Sequence, residues 1–138
     1  MTAPSNSKTR VKISRRPTSL RQDAERRGHR SEALAAWALR PKGYRVLGRR
    51  IKTRRGEIDM VALAPFGPVC FIEVKARADA RAAAESVAMS QQTRIARAAS
   101  LYLASRPGLA RRGSRFDIVA IAPRSLPVHH RDAWRPDF

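Results

Sequence analysis

The stretch Gly56-Glu57-Ile58-Asp59-Met60-Val61-Ala62-Leu63, then Pro65-Phe66-Gly67-Pro68, then Val69-Cys70-Phe71-Ile72-Glu73-Val74-Lys75 decides how this chain folds. Both apolar runs have the length and composition of strands, and the Pro- and Gly-containing link between them reads as a turn. Yet they spend core-like positions on Glu, Asp and Lys. An isolated buried ion costs far more than an apolar side chain gains, so these charges must be paired, hydrogen-bonded or ligated. A simple hairpin centred on Phe66 sets Asp59 opposite Glu73 and Glu57 opposite Lys75, with all four side chains on one face. Opposed residues stand about 4.5 to 5.5 Å apart at Cβ, close enough to share one divalent ion at roughly 2.0 to 2.6 Å per oxygen. A structural salt-bridge cluster is the alternative, and a bulge would break the match by shifting the register.

Upstream, residues 22–40 read as a helix, with Ala33, Leu34, Ala36, Trp37, Ala38 and Leu39 dense on one side and Pro41-Lys42-Gly43 closing it. Glu32, one turn before Ala36, is either a carboxylate near the core or a helix-stabilising partner for Arg40 or the arginines around Gly28. Residues 44–55 form a first strand whose end, Arg49 to Arg55, has five basic residues in seven and no acid. This strip is either a phosphate-binding edge or an edge strand guarded by charge. Downstream, the Ala-rich 78–84 run is helix or connection. Residues 90–105 make a second helix with Ile95, Ala98, Leu101 and Tyr102 as its buried stripe and Gln91 at the end facing the strands. Residues 115–122 are a fourth strand, in which Asp117 reads as a salt-bridge partner of Arg115. The expected organisation is a disordered basic arm over 1–20, one domain over 21–122 and an irregular tail over 123–138.

The length of 138 residues accommodates one sheet with its helices and no second core. The 29 Lys plus Arg against 11 Asp plus Glu give a formal net charge of +18, which favours a polyanionic partner, nucleic acid first. The excess of Arg over Lys suits forked contacts to phosphate oxygens, although a GC-rich genome produces the same bias. No apolar run long enough for a membrane span and no secretory signal are seen, so the expected compartment is the cytoplasm with no membrane partner. The single cysteine, Cys70, excludes an internal disulfide and reads as an inert buried thiol. His129, His130 and Asp132 lack zinc-ligand spacing. Trp37 and Tyr102 read as core aromatics rather than base-stacking platforms. No P-loop, Rossmann glycine pattern or serine nucleophile elbow occurs.

The order helix, strand, strand, strand, helix, strand, with Asp59 on the second strand and Glu73-Val74-Lys75 on the third, is similar to the PD-(D/E)xK nuclease superfamily. Gly28, Glu32-Ala33, Ala36, Gly43-Tyr44, Gly56-Glu57-Ile58-Asp59, Phe71 to Arg77, Ala98-Ala99, Tyr102-Leu103 and Arg115-Phe116-Asp117 together resemble the YraN-like family of uncharacterised bacterial proteins. The resemblance spans residues 22–121. It implies an α/β, restriction-endonuclease-like mixed central sheet flanked by helices, similar to Holliday-junction resolvases. It further implies a metal-dependent endonuclease acting on structured or branched DNA, or a non-catalytic nucleic-acid-binding protein that retains the fold. Asp59 and Glu73 would hold Mg²⁺ or Mn²⁺, with Glu32 as an outer or second-metal ligand and the Val74 carbonyl as a backbone ligand. Lys75 would stand near the attacking water, and Gln91 would order the site or bond a phosphate. Arg49, Arg50, Lys52, Arg54, Arg55, Arg77, Arg94 and Arg97 would contact phosphates. Two positions depart from the expected pattern: Arg50 stands in place of Asn, and Gln91 in place of Lys. A junction-cutting enzyme would work as a homodimer, though the sequence shows no exposed apolar seam.

Overall fold

The computed structural model describes residues 18–76 and 88–136. Residues 1–17 of the expected arm, the Ala-rich 78–84 run and Arg77 lie outside the described residues. The chain begins with α1 (Thr18–Leu39), passes a 3-10 turn (Arg40–Lys42), and continues through β1 (Arg45–Thr53), β2 (Gly56–Leu63) and β3 (Val69–Ala76). It then forms α2 (Met89–Ala104), a short α3 (Pro107–Ala110), β4 (Ser114–Ile121) and β5 (Val128–Trp134). The five strands make one sheet in sequence order. Neighbours are antiparallel except β3 and β4, which run parallel and are joined by the crossover that carries α2. This mixed sheet with helices on both faces is consistent with a restriction-endonuclease-like α/β fold.

Two cores flank the sheet. On one face Ala35, Ala36 and Leu39 of α1 pack with Tyr44, Met60, Ala62, Cys70 and Ile72. On the other, Ile95, Ala98 and Tyr102 of α2 pack with Val61, Phe71 and Phe116. The buried residues of α1, namely Glu32, Ala35, Ala36 and Leu39, recur at i, i+3, i+4 and i+7, the narrow stripe that one sheet face covers. That stripe corrects the broader apolar side expected from composition: Leu34 and Trp37 fall off it and are 40% and 63% exposed. Trp37 is therefore not a core aromatic, whereas Tyr102 is buried as expected.

The turn after β2 is centred on Phe66, at φ 55, and the β2–β3 pairing runs from Leu63↔Val69 to Met60↔Ile72. These four pairs have the register expected from the sequence, but the ladder ends there, before the expected pairs of Asp59 with Glu73 and Glu57 with Lys75. Past Pro123 the expectation fails. In place of an irregular tail, β5 adds to the sheet beside β4, and its Trp134 stacks on Phe116 with ring centroids 4.3 Å apart. Four of its seven residues are His, Arg or Asp, so no apolar alternation announced it. Among the described residues no helix is long and apolar enough to cross a membrane.

Candidate active site

The strand β2 changes phase at Asp59. Ile58 packs in the α2-side core and Met60 in the α1-side core, although residues two apart in a regular strand share a face. Opposite this break in β1, Arg50 takes a left-handed φ of 50, a conformation that costs a long side chain of order 1 to 3 kcal/mol. As a result Asp59 lines a cleft under α1 together with Gly28, Ser31, Glu32 and Val74. Its Oδ2 accepts the Val74 N–H at 2.9 Å, so a side chain satisfies a backbone donor of β3.

Glu73 approaches the same point from β3, near enough that each of the two carboxyls acts on the other's protonation. Around Glu73 the polar contacts are ordered. Gln91 at the start of α2 donates Nε2–H to Glu73 Oε1 at 2.8 Å, and its Oε1 accepts from Lys75 Nζ at 3.4 Å. Lys75 Nζ also lies 3.4 Å from Glu73 Oε1. An amide between a carboxylate and an ammonium has its orientation fixed by chemistry, nitrogen toward the acid and oxygen toward the cation. The Glu73 and Lys75 side chains are only 11% and 13% exposed, so these contacts are made out of bulk water.

Burial and the neighbouring acid decide the protonation of the pair. Burial pushes the Asp59 carboxyl upward; the Val74 N–H opposes this and the charge of Glu32 adds to it. Burial and then Asp59 push Glu73 up to about 7, against the pull of Lys75. Two carboxyls this close need either a proton or a cation between them.

Glu32 borders the cleft, but its carboxylate is engaged by Arg50, whose Nε lies 2.9 and 3.2 Å from the two oxygens. Gly28 leaves room beside this pair: a Cβ there would stand 3.0 Å from Arg50 Nη2, so the guanidinium lies close against α1. The partners expected for Glu32 were Arg40 or arginines near Gly28, and Arg50 was expected on phosphate. The backbone twist at residue 50, which no sequence signal gives, redirects it. Among the described residues no three His, Cys, Asp or Glu side chains are already grouped to hold an ion. Glu57 is exposed and lies opposite Lys52 of β1; the β2–β3 ladder ends at Met60↔Ile72, short of the expected pairing with Lys75.

The remaining basic candidates among the described residues, Arg49, Lys52, Arg54, Arg55, Arg94 and Arg97, are exposed. Lys52 and Arg54 line a groove with Tyr102 and Arg106, and Arg55 and Arg97 line a second with Leu101, so the β1–β2 turn and α2 present one cationic surface. Arg94 lies across Gly56, where a Cβ would meet its Cγ at 2.9 Å. Arg106, not foreseen from the sequence, sits 3.9 Å above the Tyr102 ring.

Asp117 is a separate, structural cluster, as its place beside Arg115 suggested. Fully buried, it accepts two bonds from Arg115 at 2.8 Å, one from the Asp132 N–H at 3.0 Å, and contacts His129 Nε2 at 2.7 Å. Burial pushes its carboxyl upward, but Arg115, His129 and the Asp132 N–H outweigh that and hold it at about 2. Arg115 also donates to the Tyr44 hydroxyl at 2.7 Å, which ties α1's exit to β4. The buried Cys70 thiol is pushed up to about 12 by burial and by Asp117, so it is inert as a nucleophile.

Comparison with known proteins gives a consistent set of relatives. The profile of the uncharacterised protein family UPF0102 matches residues 31–121. A UPF0102 protein of Chelativorans sp. (strain BNC1) is 50% identical over 109 residues, covering 79% of this chain and 87% of the relative. One from Paramagnetospirillum magneticum is 48% identical over 125 residues, covering 88% and 96%, and one from Mesorhizobium japonicum 45% over 122 residues, covering 88% and 97%. The matched span runs from the Glu32 turn of α1 to the end of β4 and so includes Asp59, Glu73, Lys75 and Gln91. The chain belongs to the UPF0102 family, the YraN-like proteins that its motifs resemble.

Proposed function

We propose that this chain is a metal-dependent endonuclease that hydrolyses phosphodiesters in structured or branched DNA. The observation that supports this most is that the half-buried Asp59 and Glu73 carboxyls act on each other's protonation, in a chain of net charge +18. Oxygen donors pushed together in this way fit a hard divalent cation, Mg²⁺ or Mn²⁺, held by Asp59 and Glu73 with Glu32 across the cleft. Such an ion, when bound, supplies Lewis-acid polarisation of a phosphate oxygen and a more acidic bound water.

The chain's own groups would do the rest. Lys75, fixed by Glu73 and Gln91, would orient the attacking water and offset the negative charge that builds on the phosphate. Gln91 would hold both partners at once and thereby limit their reorganisation. The exposed cations of β1 and α2 would grip flanking phosphates, with affinity falling steeply as salt rises. We assign the activity to the cytoplasm and expect a junction-cutting form to act as a homodimer.

A second reading, a nucleic-acid-binding protein that keeps the fold without cutting, draws support from Arg50, which already occupies the carboxylate of Glu32. One experiment separates them. Flap, four-way-junction and duplex DNAs are incubated with the protein and Mg²⁺ or Mn²⁺, beside Asp59→Asn and Lys75→Ala. Cleavage by the parent alone, with binding retained in both variants, is the expected result. Failure of the parent to cut any substrate with either metal would leave only the binding protein.

A further inference from the structure

A groove lies beside the carboxylate cleft, and the two share Arg27, Ser31 and Ala76 in their walls. It has a volume of about 680 Å³, inside the range of roughly 300 to 1,000 Å³ typical of small-ligand sites. Its apolar wall is made by Leu34 and Trp37 of α1 and by Pro123 and Leu126 beyond β4, with Trp37 63% and Leu126 80% exposed. Its charged residues are Arg27, Arg30 and Arg124; no acid lines it. It opens past the last residues of the parallel pair β3 and β4, where α/β folds commonly take ligands.

We infer that this groove is a subsite for an unpaired nucleotide, whose base stacks on Trp37 while Arg27, Arg30 and Arg124 hold the adjoining phosphates. An apolar peptide would satisfy the aromatic wall but leave three guanidinium groups without anionic partners; a nucleic-acid strand alternates apolar base and anionic phosphate as the groove alternates ring and cation. The inference rests on the nuclease reading for its geometry: a strand whose phosphate lies at Asp59 and Glu73 carries its neighbouring nucleotide past the shared residues Arg27 and Ser31. It also narrows the substrate. Extruding a base from a duplex costs a few kcal/mol and least where the base is already unpaired, so flaps, bulges and opened junction arms are preferred over intact duplex.

The test is a binding measurement in EDTA, with the full chain and no catalysis. The chain has two tryptophans, Trp134 buried and Trp37 exposed, so quenching of the accessible emission reports on Trp37. A 12-nucleotide oligothymidylate is compared with a 12-unit abasic strand of equal phosphate count. The oligothymidylate should quench Trp37 and bind roughly 10-fold more tightly. Trp37→Ala should remove that preference and Trp37→Phe should restore most of it. Equal affinity for the two strands, or a preference that survives Trp37→Ala, overturns the subsite. Quenching that follows protein concentration without DNA, together with a doubled solution mass, would overturn it in favour of a second copy in the groove. A parent that cuts nothing yet keeps the Trp37-dependent preference would refute the nuclease and retain the subsite.

Discussion

Replacing Glu73 by Gln should make the metal-free protein more stable and inactive at once. The Glu73 carboxyl is pushed from an ordinary value of 4.5 to about 7, mainly by burial and then by Asp59. A rise of that size corresponds to about 3 kcal/mol at 1.36 kcal/mol per pK unit, and with the side chain only 11% exposed there is little solvent screening to reduce it. Because the folded carboxyl keeps its proton to higher pH than the unfolded one, the native state binds more protons between about 4.5 and 7. Stability therefore falls as pH rises through that window, and the full penalty is present above it. Gln carries no charge to bury and can still accept from Gln91 and Lys75. At pH 8 in EDTA, Glu73→Gln should raise the unfolding midpoint by about 12 °C for a domain near 100 residues, and at pH 4.5 the two proteins should coincide. Urea or thermal unfolding at both pH values measures this. A variant less stable than the parent at pH 8, or a gap equal at both, would refute the account of the carboxylate pair.

Other outcomes follow from the same geometry. Mg²⁺ at about 100 times its dissociation constant should stabilise the parent by about 2.7 kcal/mol at pH 8 and leave Asp59→Asn unchanged, read by the same unfolding curves. Lys75→Ala should lower kcat by roughly 10²- to 10³-fold with DNA affinity, measured by anisotropy, within a factor of a few of the parent. Arg50→Asn should relieve the left-handed backbone but strand the buried Glu32 carboxylate, so the unfolding midpoint in EDTA should fall while calorimetry shows tighter Mn²⁺ binding. Asp117→Ala should cost about 3 to 5 kcal/mol by stranding Arg115 beside a buried cavity. Asp117 is held at about 2, so its contribution is complete above its ordinary 3.8 and is lost as pH falls toward 2; acid titration of the variant should lack that segment.

Much of the fold was legible because the features that carry it are local. The apolar runs of β2 and β3, the Pro-Gly turn between them and the period of α2 each announce themselves within a few residues. The turn centre at Phe66 was enough to give the β2–β3 register from Leu63↔Val69 to Met60↔Ile72, but not the break in the ladder at Asp59, where its side chain takes the Val74 N–H instead. Gln91 at the strand-facing end of its helix was also readable, from its place one turn before Ile95. β5 was hidden because its stability comes from non-local partners: His129 and the Asp132 N–H meet Asp117, and Trp134 meets Phe116. Trp37 was misread because composition gives an apolar side to α1 without saying how wide a stripe the sheet will cover.

The sequence by itself determined the sheet's central hairpin, the acids and the lysine that it carries, and the cationic surplus around them. Only the tertiary structure decided what Glu32 and Trp37 do. The left-handed backbone at Arg50 and the phase break at Asp59 send one guanidinium onto Glu32 and one carboxylate into the cleft, and the narrow stripe by which α1 meets the sheet leaves Trp37 lining a groove. Those outcomes depend on which of several chemically equivalent contacts long-range packing brings within 3 Å, a choice that residue type and spacing leave open.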